Sequence, residues 1–255
     1  MDRMAQTALN SLKMMMENQA ATAHNLANVN TPGFRQDVAT DFSSIFLNRA
    51  NGIEPRIVSA RNTGGFSLEQ GQMENTQNPM DVAIQNEGYF IIKPKNNGDN
   101  AFSRRGDFQL NENSELVDGG GNQVLDAGLQ PIVLPPFQSM NIASNGQITI
   151  KPIGGDVNAP PIEVAIIGSS IVDPEQKLKK SLDGNIRFTD ENIAIESNQQ
   201  AKLLTGFLEK SNVNAIDEMV NSLDQQRKFE MHVKFIQMAE ELDSAGASLI
   251  RLPGM

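Results

Sequence analysis

Two histidines, His24 and His232, are the only imidazoles in the chain, and acid–base or metal chemistry would have to start with them. Neither has the companions such chemistry needs. There is no cysteine to supply a thiolate, and no glutamate stands at helical spacing from either ring to build a ligand set. Both lie on segments that read as helix, where a partly exposed imidazole needs no further role. Arg105-Gly106-Asp107 spells the tripeptide that integrins bind, but so short a string recurs by chance and here reads as part of a strand–turn element. Gly119 to Asn122 lacks the Lys-Ser/Thr pair of a phosphate loop and reads as a turn. No Gly-x-Ser-x-Gly elbow accompanies the serines, and Glu240-Glu241 reads as a solvated helix face. The chain is therefore read as a non-enzyme, with no catalytic, cofactor-binding or metal residues and no cofactor.

Composition narrows the partners. The formal net charge is −10 over 255 residues, so a polyanion meets repulsion over most of the surface and nucleic acid is disfavoured. The longest basic cluster, Lys177 to Lys180, is too short to reverse this. No stretch reaches the roughly 20 apolar residues of a membrane helix, so no membrane insertion is expected. After Met1-Asp2-Arg3 the chain is amphipathic. Asn10, Lys13, Glu17 and Asn18 interrupt any secretory apolar core, so export would use a route without a cleaved signal. Of the 12 methionines, Met4, Met14, Met15, Met16, Met219, Met231 and Met238 fall in the terminal segments, where flexible side chains suit imperfect helix contacts.

Those segments set the architecture. Residues 3–27 contain neither Gly nor Pro, and Leu9, Leu12, Met16, Ala23 and Leu26 recur at a 3,4 spacing that predicts an amphipathic helix. Asn28-Val29-Asn30-Thr31-Pro32-Gly33 ends it, because Pro32 forces Thr31 to extended geometry. A second helix is predicted from about Ser211 to Leu252, with Ser211 or Asn212 as its N-cap and Pro253-Gly254-Met255 as its stop. Ile216, Met219, Val220 and Leu223 open its apolar stripe, and Phe235, Met238, Leu242, Ala245 and Leu249 continue it. In the middle, Phe229, Val233 and Ile236 mark a shifted face, which implies more than one helical neighbour.

Between the helices, residues 76–200 read as strands. Val82 to Ile84, Tyr89 to Ile92, Phe108 with Leu110, Leu116-Val117, Val124-Leu125, Ile162 to Ile167, Ile186 to Phe188 and Ile193 to Ile195 are the candidates. Asn145-Gly146 between Ile142 and Ile148 is the clearest hairpin signal. Asp37 to Leu47 reads as a short helix. The expected fold class is α+β, with terminal helices paired as a coiled-coil-like domain (1–34 and 208–255). A connecting segment (35–75) and an inserted all-β domain (76–207) complete it. An isolated amphipathic helix gains little in water, so each must pair with the other terminus, with other chains, or with both.

The run Asn25-Leu26-Ala27-Asn28-Val29-Asn30-Thr31-Pro32-Gly33-Phe34 closely resembles the N-terminal signature of flagellar rod and hook proteins. Asn78 to Ile84 with Gly88-Tyr89-Phe90, Phe102 to Phe108, and Leu208 to Asn214 with Glu218-Met219-Val220 resemble later elements of that family. Within it, the Met-Asp-Arg start and Phe229 to Lys234 look most like the proximal rod proteins, with the distal rod proteins nearest. The resemblance implies a structural subunit of the basal-body rod that crosses the periplasm and transmits torque. Its partners would be copies of itself, other rod proteins and the flagellar type III export apparatus. It places assembly on surfaces rather than on a catalytic centre. The expected interface residues are Leu9, Leu12, Met16, Asn25, Leu26, Asn28, Thr31, Pro32, Gly33, Asn212, Val213, Asn214, Ile216, Val220, Leu223, Phe235 and Leu242.

Overall fold

The computed structural model describes residues 2–38, 44–46, 57–59, 65–96, 98–153, 160–173, 175–181 and 183–250; side chains are described except at 2–10, 44–46, 57–59, 239, 242, 243 and 247–250. The fold is α+β. The first unit comprises residues 1–27, 37–65 and 214–255, and the second residues 28–36 and 66–213.

The first unit holds both helices, α1 (Asp2–Ala27) and α2 (Ala215–Ile250). At 1.5 Å per residue they run roughly 39 and 54 Å. Asn214 caps α2, rather than Ser211 or Asn212: its Oδ1 accepts the Ile216 N–H at 3.0 Å and its carbonyl accepts the Glu218 N–H. Asp217 and Glu218 in the first turn suit the positive end of the helix dipole. The short helix expected over Asp37 to Leu47 is not formed. Ser44–Phe46 is instead a strand paired antiparallel with Ile57–Ser59, where Ile45 sits opposite Val58 and β-branched residues favour extension. The tail Pro253-Gly254-Met255 lies outside the described residues.

The second unit is built of antiparallel strands, with no helix among its described residues. Its central strand, Tyr89–Lys93, is covered on both faces. Phe90 joins Val82, Phe108, Leu116 and Ile148 in one apolar cluster, while Tyr89 and Ile91 join Phe102, Leu125 and Phe188 in another. Each cluster holds one edge-on ring contact, Phe90 to Phe108 at 5.1 Å in the first and Phe102 to Phe188 at 5.3 Å in the second. The Asn145-Gly146 hairpin forms as read, with Ile142 opposite Ile148 and Gly146 at φ +86°. Ile193 to Ile195 is not a strand. Asp190 folds the chain back through the N–H groups of Asn192 and Ile193, and the two isoleucines pack on the second cluster.

Two strand pairs close the unit across long sequence distances. Lys202–Thr205 pairs with Val82–Gln85, and Phe207–Glu209 pairs with Met73–Asn75. Residues near both ends of the β region are thereby laid side by side.

Candidate functional site

The Thr-Pro-Gly segment folds as a tight turn. Asn28 accepts the Thr31 N–H through its carbonyl and the Thr31 hydroxyl through its Oδ1, and the Thr31 carbonyl accepts the Phe34 N–H. Gly33 follows at φ +66°, a conformation in which an L side chain is strained. Space excludes a side chain as well, since a Cβ here would lie 2.3 Å from the Arg104 carbonyl carbon. The Gly33 N–H donates to the Glu209 carbonyl at 2.7 Å. Half-buried Asn28, Thr31 and Pro32 and buried Gly33 thus shape a backbone docking, and none of them projects a free reactive group.

Glu209 lies at the centre of this docking. Its Oε2 accepts the Nε–H of Arg104 at 2.8 Å and lies 2.7 Å from Nη2, and its Oε1 lies 3.0 Å from Nη2 of Arg35 and accepts the Gly71 N–H at 3.1 Å. Arg104 spends its remaining donors on the carbonyls of Ile84, Asn86 and Gly88. All three charged side chains are at most 5 % exposed, so the pairs lie in a low-dielectric site where losing one partner strands a charge. Burial holds the Arg104 guanidinium below its usual range, against the opposing pull of Glu209. Burial also pushes the neighbouring Tyr89 phenol upward, so it stays neutral.

Two further side chains hold the same stretch. Lys180 donates to the Arg35 carbonyl at 2.7 Å and sits 3.5 Å from the centre of the Phe34 ring. Its hairpin is braced by a two-bonded Asp183–Arg187 pair, at 3.0 and 2.7 Å. Asn212 receives the Gln36 N–H at 2.7 Å and donates to the Glu69 carbonyl at 2.8 Å. Val213 beside it is buried. Arg35, Arg104 and Glu209 were missed as a set by sequence reading. The available signal was paired arginines in an acidic chain, within segments that otherwise carry little charge.

In the first unit the helices meet through polar groups. Gln225 donates to Thr22 at 3.0 Å, and Asn25 donates to Glu218 at 3.1 Å, which fixes an antiparallel arrangement. Asn25 also accepts the Asp37 N–H at 2.7 Å and donates to the Asp37 carbonyl at 3.0 Å, copying a backbone pairing with one side chain. His24 adds a short contact from its Nδ1 to the Asp37 carboxylate. Thr22, Asn25 and Glu218 are all buried.

The apolar stripe of α2 lies elsewhere. Glu218, Ser222, Gln225, Phe229, His232, Val233 and Ile236 are shielded, whereas Ile216, Val220, Leu223, Met231, Phe235 and Met238 are each 46 % exposed or more. At about 100° per residue the two sets occupy roughly opposite sides of the helix. On α1, Met16 is 57 % exposed, and Leu12 and Leu26 are half-buried. Asn214 is exposed, and the side chains of Leu9 and Leu242 lie outside the described set. Arg105 donates to the Asp107 carboxylate at 2.7 and 2.9 Å, so the two ends of the Arg-Gly-Asp tripeptide are paired with each other.

Comparison with known proteins gives this arrangement a family. Residues 83–150 match the D1 domain described for the flagellar hook protein FlgE/F/G, and residues 204–249 match the C-terminal region described for the flagellar basal body rod FlgEFG proteins. The chain is 29% identical over 262 residues to the flagellar basal-body rod protein FlgF of Salmonella typhimurium, covering 99% of this chain and 100% of that one. It is 30% identical to the flagellar basal-body rod protein FlgG of Borreliella burgdorferi, over 92% of this chain and 94% of that one. The FlgF protein of Mesorhizobium japonicum is 31% identical, with 86% of each chain covered. The matched regions include Arg104, Glu209 and most of α2, and on these grounds the chain belongs to the flagellar basal-body rod protein family.

Proposed function

We propose that this protein is a structural subunit of the bacterial flagellar basal-body rod, a non-enzyme that associates with copies of itself and with other rod components through its helices. One observation carries the reading: α1 and α2 are joined by polar contacts at Thr22–Gln225 and Asn25–Glu218, while a second set of apolar residues on α2, from Ile216 to Met238, faces water. An exposed apolar row along a helix is stabilised by burial against another helix, in a coiled-coil-like packing. Repeated head to tail, such contacts do not close on themselves and build a helical stack able to carry torque. Likeness to FlgF along nearly the whole length of both chains favours the proximal rod, and the FlgG match keeps the distal rod as the second reading. That membership supports a place in the periplasm-crossing rod, with delivery through the flagellar type III export apparatus as part of the same proposal.

The test pairs Val220→Asp with Leu223→Asp in the full-length protein. Loss of association with purified rod components, and loss of motility in cells carrying only the variant, is the expected result. Unchanged association would remove the α2 stripe from the interface and reject this reading.

A further inference from the structure

The thioethers in this chain are distributed unevenly. With no cysteine present, methionine sulfur is the only sulfur an oxidant can reach. Among the described side chains, Met16, Met219, Met231 and Met238 are each more than half exposed, and all four lie on the helices. In the β unit, by contrast, Met140 is 9 % exposed and Met73 and Met80 are partly shielded. Met231 and Met238 are seven residues apart, two helical turns, and share the water-facing side of α2 with Val220 and Leu223; Met219 lies on its flank.

Resting on the rod-subunit reading above, we infer that Met231 and Met238 are oxidation sites through which a two-electron oxidant blocks association of the free subunit. With hydrogen peroxide, the sulfur lone pair attacks one peroxide oxygen and the O–O bond breaks. The sulfur keeps that oxygen as a sulfoxide while the departing hydroxide takes up the remaining proton as water. The thioether is oxidised and the peroxide reduced, with no further reactant. The product is polar in the C-terminal half of the row, beside Phe235, so burying it against a partner leaves a strong dipole without the water it had. A subunit already assembled has that row covered. Oxidation therefore acts on unassembled chains, and a sulfoxide reductase reverses it. The β unit, whose methionines are shielded, keeps its fold.

The experiment treats the full-length protein with graded hydrogen peroxide, maps sulfoxides by peptide mass spectrometry, and measures self-association by sedimentation velocity. Sulfoxide at Met231 and Met238 well before Met140, a fall in association of roughly tenfold or more, and recovery after methionine sulfoxide reductase are expected. A Met231→Leu/Met238→Leu protein keeps the row apolar and should associate normally before and after peroxide. Equal oxidation of Met140, or undiminished association of the oxidised protein, overturns the inference. Untreated protein that associates neither with itself nor with purified rod components rejects the rod-assembly reading, and the block with it, while the oxidation map independently decides the order of modification.

Discussion

Arg104 and Glu209, 105 residues apart in the chain, meet as a buried ion pair in which Oε2 of Glu209 accepts the Nε–H at 2.8 Å and lies 2.7 Å from Nη2. Arg35 completes the set from a third segment, at 3.0 Å. The desolvation of three charges is offset only while all three are present.

Removing the carboxylate should therefore be costly. Glu209→Ala is expected to destabilise the β unit by about 3–5 kcal/mol, because two guanidinium groups then lie buried without a counter-charge. Urea denaturation followed by near-ultraviolet circular dichroism checks this. Arg104→Ala should cost a similar amount, and the double variant should cost clearly less than the sum of the two.

Gly33 offers a contrast between position and residue type. Gly33→Ala should cost on the order of 3 kcal/mol, combining a left-handed backbone with a Cβ pressed on the Arg104 backbone. Gly98→Ala, where nothing lies within 4 Å, should stay within about 0.5 kcal/mol. Parallel thermal melts of the two variants decide the point.

Asn25 holds Asp37 and Glu218 at once, so Asn25→Asp should be worse than Asn25→Ala. The aspartate loses the donor to Glu218 and sets a second carboxylate against it. Hydrogen exchange of amides near residues 18–25 and 215–225 should speed up in both variants, by an amount corresponding to about 1–3 kcal/mol for Asn25→Ala.

Asp183 supplies a pH prediction. Burial alone would raise its carboxyl, but hydrogen bonds from Arg187 and Asn185 outweigh that and hold it below the usual aspartate range. A depressed folded pKa means the stabilisation is present at neutral pH and fades as pH falls below about 4 toward the folded value. Asp183→Asn should remove that part of the acid sensitivity of the Lys180 hairpin. Melting temperature measured against pH in both proteins would show it, and identical slopes below pH 4 would refute it.

The helices and most strands were legible because their apolar spacing is local. Leu12, Met16 and Leu26 mark one period and Ile142, Ile148 and Ile150 another. The start of α2 was misplaced because Asn212 and Ser211 are capping residue types used for other bonds; the Asn212 side chain reaches Gln36 and Glu69 instead. The stretch Asp37 to Leu47 misled because its alternation is too short to separate a helix turn from a strand. The Arg35–Glu209–Arg104 cluster could not be read at all, since no local period connects residues separated by most of the chain. Nor could spacing reveal that polar groups, Thr22 with Gln225 and Asn25 with Glu218, join the helices near the start of α2 while Ile216, Val220 and Leu223 stay exposed. The same 3,4 repeat describes both faces of α2, and only Thr22 and Asn25 opposite Gln225 and Glu218 choose between them.

The position of Glu209 in the order of synthesis has a consequence for timing. Arg35 and Arg104 emerge long before the one carboxylate that neutralises them, and the strands Lys202–Thr205 and Phe207–Glu209 that close the β unit emerge with it. A chain leaving any narrow exit with its first residue leading must remain open until more than four-fifths of it is out. Closure then comes late and all at once, so an incomplete chain stays threadable until the strands Lys202–Thr205 and Phe207–Glu209 arrive.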